Sequence, residues 1–256
     1  MIHVMRLALL CRRWRAMIPA GFAAVTAVCS TAPTELPPQP LRILFIGNSL
    51  TAANNLPEMF HALAAAGHHP TPIVSSVVRP NYSLEDHWNE GAAQPAIRGG
   101  HWQLVVLQQG PSALPESRVL LIQYAERFDT VIRAAGGTTG LYMVWPDSTR
   151  LTAFDSVAAS YRAAAESVAG VLIPAGDAWQ AVWRSDSSVR LYDLDGFHPS
   201  VAGTYLVACT FFTKLFRQSP RGLPGHLVLA GGASVDVDSA LAVMLQQAAQ
   251  EVAGSR

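Results

Sequence analysis

A serine that attacks an ester needs a base to take its proton, and the base needs an acid that holds its tautomer. Ser49, His198 and Asp195 have the types and surroundings for those three roles. Ser49 follows the apolar run Ile43-Leu44-Phe45-Ile46 and the pair Gly47-Asn48, which places it just past the end of a buried strand. Open α/β sheets keep their chemistry outside that end of the strand. A helical stripe of Leu56, Met59, Phe60 and Leu63 comes next, and a helix after such a turn aims backbone N–H groups at charge developing near Ser49. Far along the chain, Asp195 and His198 stand three apart, with Gly196 between them to allow a tight loop. Pro199 ends that loop, and Ser200 can cap a helix beginning near Val201. Asp195 can then reach one imidazole nitrogen while the other faces Ser49. Taken alone, Gly47-Asn48-Ser49 is also what an ordinary strand-to-helix turn looks like.

The two stretches together resemble a known family. Gly47-Asn48-Ser49-Leu50 is similar to the GDSL signature of the SGNH hydrolase superfamily, with Asn in place of Asp. Asp195-Gly196-Phe197-His198-Pro199 is similar to its C-terminal D-x-x-H block. The resemblance spans roughly residues 41 to 218. It implies catalysis by Ser49, His198 and Asp195, with Asp193 as the rival acid, whose offset from His198 fits the family pattern less well. Asn48 then braces the loop, since Asn accepts the hydrogen bonds of the family's Asp without its charge. An α/β-hydrolase elbow fits less well, because it needs glycine two residues after the serine and Thr51 stands there.

The family's oxyanion hole uses the nucleophile's own N–H, a glycine N–H in a second block and an asparagine amide in a third. The second block is Val78-Arg79-Pro80-Asn81-Tyr82-Ser83-Leu84, with Asn81 at the glycine position. Asn tolerates positive φ, so its N–H can serve. In the third block Gln108-Gln109-Gly110-Pro111 replaces G-x-N-D, so the amide comes from Gln108 or Gln109. Strand alternation turns only one of the two inward. The expected oxyanion set is therefore Ser49, Asn81, and Gln108 or Gln109. Tyr82, Trp88 and Trp145 fall near strand ends, where they either line a substrate cleft and stack on a sugar or pack core and rim.

Strands alternating with helices predict a three-layer α/β/α domain with a central, mainly parallel five-stranded sheet, the flavodoxin-like arrangement that the resemblance also implies. Strands are expected at Leu41–Ile46, Ile73–Val78, Leu104–Leu107, Leu141–Trp145 and Val171–Pro174. Helices are expected at Leu56–Ala66, within Ser83–Gln94 ended by Pro95, at Glu116–Ala135 with Leu120, Tyr124, Phe128 and Val131 inward, at Phe154–Val168, Ala178–Trp183 and Val201–Phe216. The domain covers 41–218. The extension 219–256 offers a short strand at Leu227–Leu229 and a helix over Asp236–Val252, packed on the domain by Leu241, Met244, Leu245 and Ala248.

Residues 1–40 read as an export signal and Pro-rich spacer. Arg12, Arg13 and Arg15 precede an apolar stretch, Ala16 to Cys29, broken by Pro19 and Gly21 and short for a membrane span. Cleavage near Ala27 and secretion is the first reading, a lipidated Cys29 the second, and an uncleaved anchor the third. The product would be periplasmic, extracellular or in the cell envelope. Only three cysteines occur, so no disulfide framework is expected, and Cys209 reads as a buried thiol. Charged residues are 14% against an average of about 25%, and net charge is zero, which argues against a nucleic-acid partner. His68-His69 lack metal-ligand spacing and Glu85-Asp86-His87 reads as a solvated helix start, so neither metal nor cofactor is expected. The expected activity is hydrolysis of carboxylic esters, acetyl or short acyl, on a carbohydrate, lipid or small molecule. The alternative from another class is a non-catalytic surface protein of the same fold that binds glycan or lipid.

Overall fold

The computed structural model describes residues 39–254. Five strands form one parallel sheet: β1 (Arg42–Gly47), β2 (Ile73–Val78), β3 (Leu104–Leu107), β4 (Thr138–Tyr142) and β5 (Val171–Ile173), in the order β2-β1-β3-β4-β5. In β1, Ile43 pairs with Val74 on one side and Leu104 on the other, and Ile43 to Ile46 are all buried, so neither face of the strand meets water. That explains why β1 and β3 read as continuous apolar runs rather than as alternation. The order reverses direction beside β1, so the carboxyl ends of β1 and β3 form the crevice where such sheets hold ligands.

The helices are α1 (Ser49–Ala52), α2 (Leu56–Ala66), α3 (Leu84–Glu90), α4 (Ala93–Gly99), α5 (Pro115–Ala134), α6 (Phe154–Ser167), α7 (Ala175–Ser185), α8 (Val201–Phe216) and α9 (Ser239–Ala253). Helix α8 packs against α2, α7 and α9, and α5 packs against α3, α4 and α6, so the sheet is covered on both sides. Short 3-10 turns at Ala53–Asn55 and Ser148–Ala153 complete the core region. No helix among the described residues is long and apolar enough to cross a membrane. The export, cleavage and lipidation readings lie on residues outside those described.

Several elements differ from the expectations above. Pro95 does not end a helix. Gly91, at φ +86°, ends α3, and Pro95 sits in the first turn of α4, where a missing N–H loses no helical bond. Helix α5 buries Leu121, Tyr124, Ala125, Phe128 and Ile132, whereas Leu120 is exposed. Apolar residues occupy both 120 and 121, and both 131 and 132, so periodicity alone does not choose between them. Strand β4 lies three residues earlier than expected. Met143, Val144 and Trp145 are apolar because they are buried, not because they lie in the ladder, and only the Met143 N–H still reaches the Ile173 carbonyl. In the C-terminal segment, β6 (His226–Val228) pairs antiparallel with β7 (Ser234–Asp236), a strand not expected from the sequence. Helix α9 consequently starts after Asp236, capped by the Asp238 carboxylate, and buries Ala242, Leu245, Gln246, Ala248, Ala249 and Ala253. Gln246 ties it down, donating to the Tyr205 hydroxyl and the Leu223 carbonyl.

Candidate active site

Ser49 is the first residue of α1, with Asn48 alone between it and the end of β1. Its N–H is one of the orphan donors of a helix start. Gly47 is required at the preceding bend, because a Cβ there would lie 2.5 Å from both Gln108 Oε1 and Thr51 Oγ1. Asn48 caps α1: its side-chain oxygen accepts the Leu50 N–H, and its Nδ2 donates to the Tyr82 carbonyl at 3.0 Å. It therefore braces the β1 turn against the β2 turn.

Gln108 completes that brace. Its Oε1 accepts from the Asn48 N–H at 2.9 Å and the Thr51 hydroxyl at 2.7 Å. A backbone N–H can only donate, which fixes the orientation of the amide. Both amide protons are then spent, on Asn48 Oδ1 at 2.9 Å and on the Gln109 carbonyl at 2.6 Å. The expectation that Gln108 could donate to an oxyanion thus fails for lack of a free proton. Gln109 differs. It accepts from the Leu84 N–H and donates once, to Ser112 Oγ, leaving one of its two amide protons uncommitted beside the β2 turn.

Asn81 stands in that turn at φ +63°, the left-handed conformation expected of a glycine substitute, and its N–H has no hydrogen-bond partner among the described residues. The stretch Glu85-Asp86-His87 divides. Asp86 forms a capping box with Ser83, whose backbone and side-chain hydrogen bonds lower its pKa. His87 is not solvated. It is wholly buried, and its Nε2–H donates to the Gly47 carbonyl at 2.8 Å while Nδ1 has no partner among the described residues. Burial pushes its pKa down, so it stays neutral under the turn that carries Ser49.

The second half of the site is the loop between α7 and α8. Asp195 Oδ2 and His198 Nδ1 lie 2.5 Å apart, and Asp195 Oδ1 accepts the N–H groups of Phe197 and His198, each at 2.9 Å. Gly196 takes φ +70° to close the loop. The hydrogen bond to His198, helped by the Phe197 N–H, holds the Asp195 carboxyl down to about 2. Asp193 bonds the Leu194 N–H and does not reach the imidazole side chain. Ser200 caps α8, in line with its position before Val201. Ser49 Oγ and His198 Nε2 make no hydrogen bond with each other or with any other described group; in unliganded sites such contacts are often long.

Asn54 joins the two halves. Its Nδ2 donates to the Pro199 carbonyl and to Thr204 Oγ1, both at 2.9 Å. It is absent from the candidates drawn from the sequence, although Asn54-Asn55, both at positive φ, is a pair suited to left-handed backbone. Of the three aromatic candidates, Tyr82 is half-buried beside the site and meets His87 edge-on. Trp88 packs edge-on against Phe128, under Arg127. Trp145 is fully buried, stacked on Trp179 at 3.7 Å, and lines no cleft. Cys209 is buried in α8, its thiol pKa raised by that burial. No three His, Cys, Asp or Glu side chains converge as a metal site among the described residues.

No protein-family model matches the chain, and no curated protein matches it. Solved structures do. A DUF4886 family protein from Bacteroides uniformis superposes with a TM-score of 0.65 at 19% identity, over 83% of this chain and 94% of its own. A protein from Slackia heliotrinireducens described as an SGNH hydrolase gives 0.55 at 28% identity, over 66% and 96%. A lipase/acylhydrolase from Enterococcus faecalis gives 0.50 at 17% identity, over 66% and 91%.

Proposed function

We propose that this chain, which belongs by its fold to the SGNH hydrolase superfamily, is a serine-dependent hydrolase of carboxylic esters. Ser49 Oγ attacks the ester carbonyl carbon as His198 Nε2 takes its proton. The carbonyl oxygen becomes an oxyanion, held by the N–H groups of Ser49 and Asn81 and the uncommitted amide proton of Gln109. Collapse expels the alcohol, which receives the proton from His198. Water, deprotonated by the same imidazole, then releases the acid from Ser49. Asp195 keeps the proton of neutral His198 on Nδ1 and stabilises the imidazolium.

The carrying observation is the Asp195–His198 pair, locked by two backbone N–H groups on one carboxylate, in a loop bonded through Asn54 to the segment that follows Ser49. The purified protein should hydrolyse a nitrophenyl ester, and Ser49→Ala should lower turnover by at least ~10³-fold. Equal rates for the two proteins would remove the hydrolase reading.

A second reading, a binding protein without turnover, is favoured by one observation: Gln108, in the block expected to supply an oxyanion amide, has both amide protons spent. A fluorophosphonate probe decides between them, because it labels only an activated serine. Absence of labelling together with measurable glycan or lipid binding would establish the second reading. For location we propose export, on the strength of the leader-like residues 1–40. Recovery of the full chain in the cytosolic fraction alone would refute this.

A further inference from the structure

Beside the Asp195–His198 loop lies a cavity of about 270 Å³. It opens between the chain leaving β3 and the chain leaving β4, at the ligand-binding end of the sheet. Pro111, Ala113, Leu114, Pro146, Ala153 and Phe197 supply its apolar walls. Phe197 is the neighbour of His198, and the β4 wall is bonded to the same loop. The Ser148 N–H donates to the Gly196 carbonyl, and the buried Trp145 indole donates to the Phe197 carbonyl.

Apart from the exposed Arg150 at its rim, the polar side chains of the cavity are already hydrogen-bonded within the protein. Ser112 Oγ is shared between Gln109 and the Gly110 carbonyl. Ser117 Oγ is spent on the backbone of Leu114. Asp147 accepts from the Thr149 N–H and hydroxyl. Leu114 leaves 48% of its surface to water, an apolar wall that is only partly covered. An apolar cavity of ~150 Å³ holds a benzene ring, so this one has room well beyond the methyl of an acetyl group.

We infer that this cavity receives an apolar arm of the ester, larger than methyl and up to the size of a ring or a medium alkyl chain, on the acyl or the alcohol side of the scissile bond. The inference rests on the ester-hydrolase reading. Each buried methylene should raise kcat/KM about 4-fold, so acetate to hexanoate spans on the order of 10²-fold.

The test uses two substrate series on the full chain. One lengthens the acyl group on a constant nitrophenol, and the other enlarges the alcohol on a constant acetate. The steep series identifies the arm that enters the cavity. Two variants read the cavity itself: Ala153→Trp fills it, and Leu114→Asp places a charge on a wall too exposed to threaten folding. Both should flatten the steep series, lowering the long-to-short ratio at least ~10-fold. If neither series is steep, or if the steepness survives both variants while a fluorophosphonate still labels Ser49, the cavity assignment falls and the hydrolase reading stands. If labelling and turnover are both absent, the hydrolase reading falls and takes the cavity assignment with it.

Discussion

Replacing Gln108 by Glu changes one atom and tests the brace beneath Ser49. Glutamate retains the oxygen that accepts from the Asn48 N–H and the Thr51 hydroxyl. Its second oxygen replaces an NH2 that donated to Asn48 Oδ1 and the Gln109 carbonyl, and so it faces two acceptors. Only the protonated acid can donate to one of them. The neutral variant therefore lacks one hydrogen bond, a cost of about 1 kcal/mol. The ionised variant carries a charge at a fully buried position against two oxygens. Burial of that kind raises a carboxyl by about 3 pH units, or about 4 kcal/mol. The unfolded carboxyl titrates near ~4.3 and the folded one higher. The added penalty is absent below the lower value, grows as pH rises toward the higher one, and is constant above it. For a chain of this size 1 kcal/mol moves Tm by about 2–4 °C. The Tm gap between wild type and Gln108→Glu should thus widen from about 2–4 °C near pH ~4.5 to about 10–20 °C near pH ~8. Thermal melts of both proteins across that range measure it. A gap that does not change with pH would show that the amide protons are not spent as described, and would return Gln108 to the oxyanion candidates.

Asp195→Asn should lower turnover by on the order of 10⁴-fold while Asp193→Asn stays near wild type, measured as kcat on one activated ester; the reverse pattern would move the acid to Asp193. Asp195 is held to about 2 when folded, below its ordinary 3.8. Its stabilising contribution is present above the ordinary value and is lost as pH falls through about 2, so melts of wild type and Asp195→Asn should converge toward that pH; parallel curves would contradict the pairing. For His87 the folded pKa lies below 6.5, the unfolded chain binds the proton first, and stability falls as pH drops below 6.5. His87→Leu should be less stable at neutral pH by about 1–3 kcal/mol and should lack that acid-side fall, again read by melts; an unchanged fall would assign it to another group.

Much of the site is legible in the amino-acid sequence, because its chemistry is carried in short stretches. Asp195, Gly196 and His198 form their loop from neighbouring residues, and Asn81 is recognisable as a residue that accepts left-handed backbone. What depends on distant partners is not legible. Gln108 and Gln109 are the same residue type in adjacent positions, and it is Asn48, sixty residues away, together with the Gln109 carbonyl, that spends both amide protons of Gln108. His87 looks solvated beside Glu85 and Asp86, since nothing local shows that the Gly47 carbonyl lies above it. The fold shows the same division. Helix α2 and strand β2 start and stop on local signals. The inward face of α5 and the end of β4 are decided by which of several apolar residues finds a neighbour.

The bond from Asn54 to Pro199 and Thr204 has a consequence in time. A growing chain exposes Ser49 early, but Asn54 has nothing to hold until α8 has been made and docked. On the hydrolase reading proposed above, Ser49 lacks its base until then, and a partly made chain carries no activated serine. On that reading, probe labelling of Ser49 should report that the loop carrying His198 has docked against Asn54. A chain cut before residue 191 should stay dark to the probe, even where its first strands have paired.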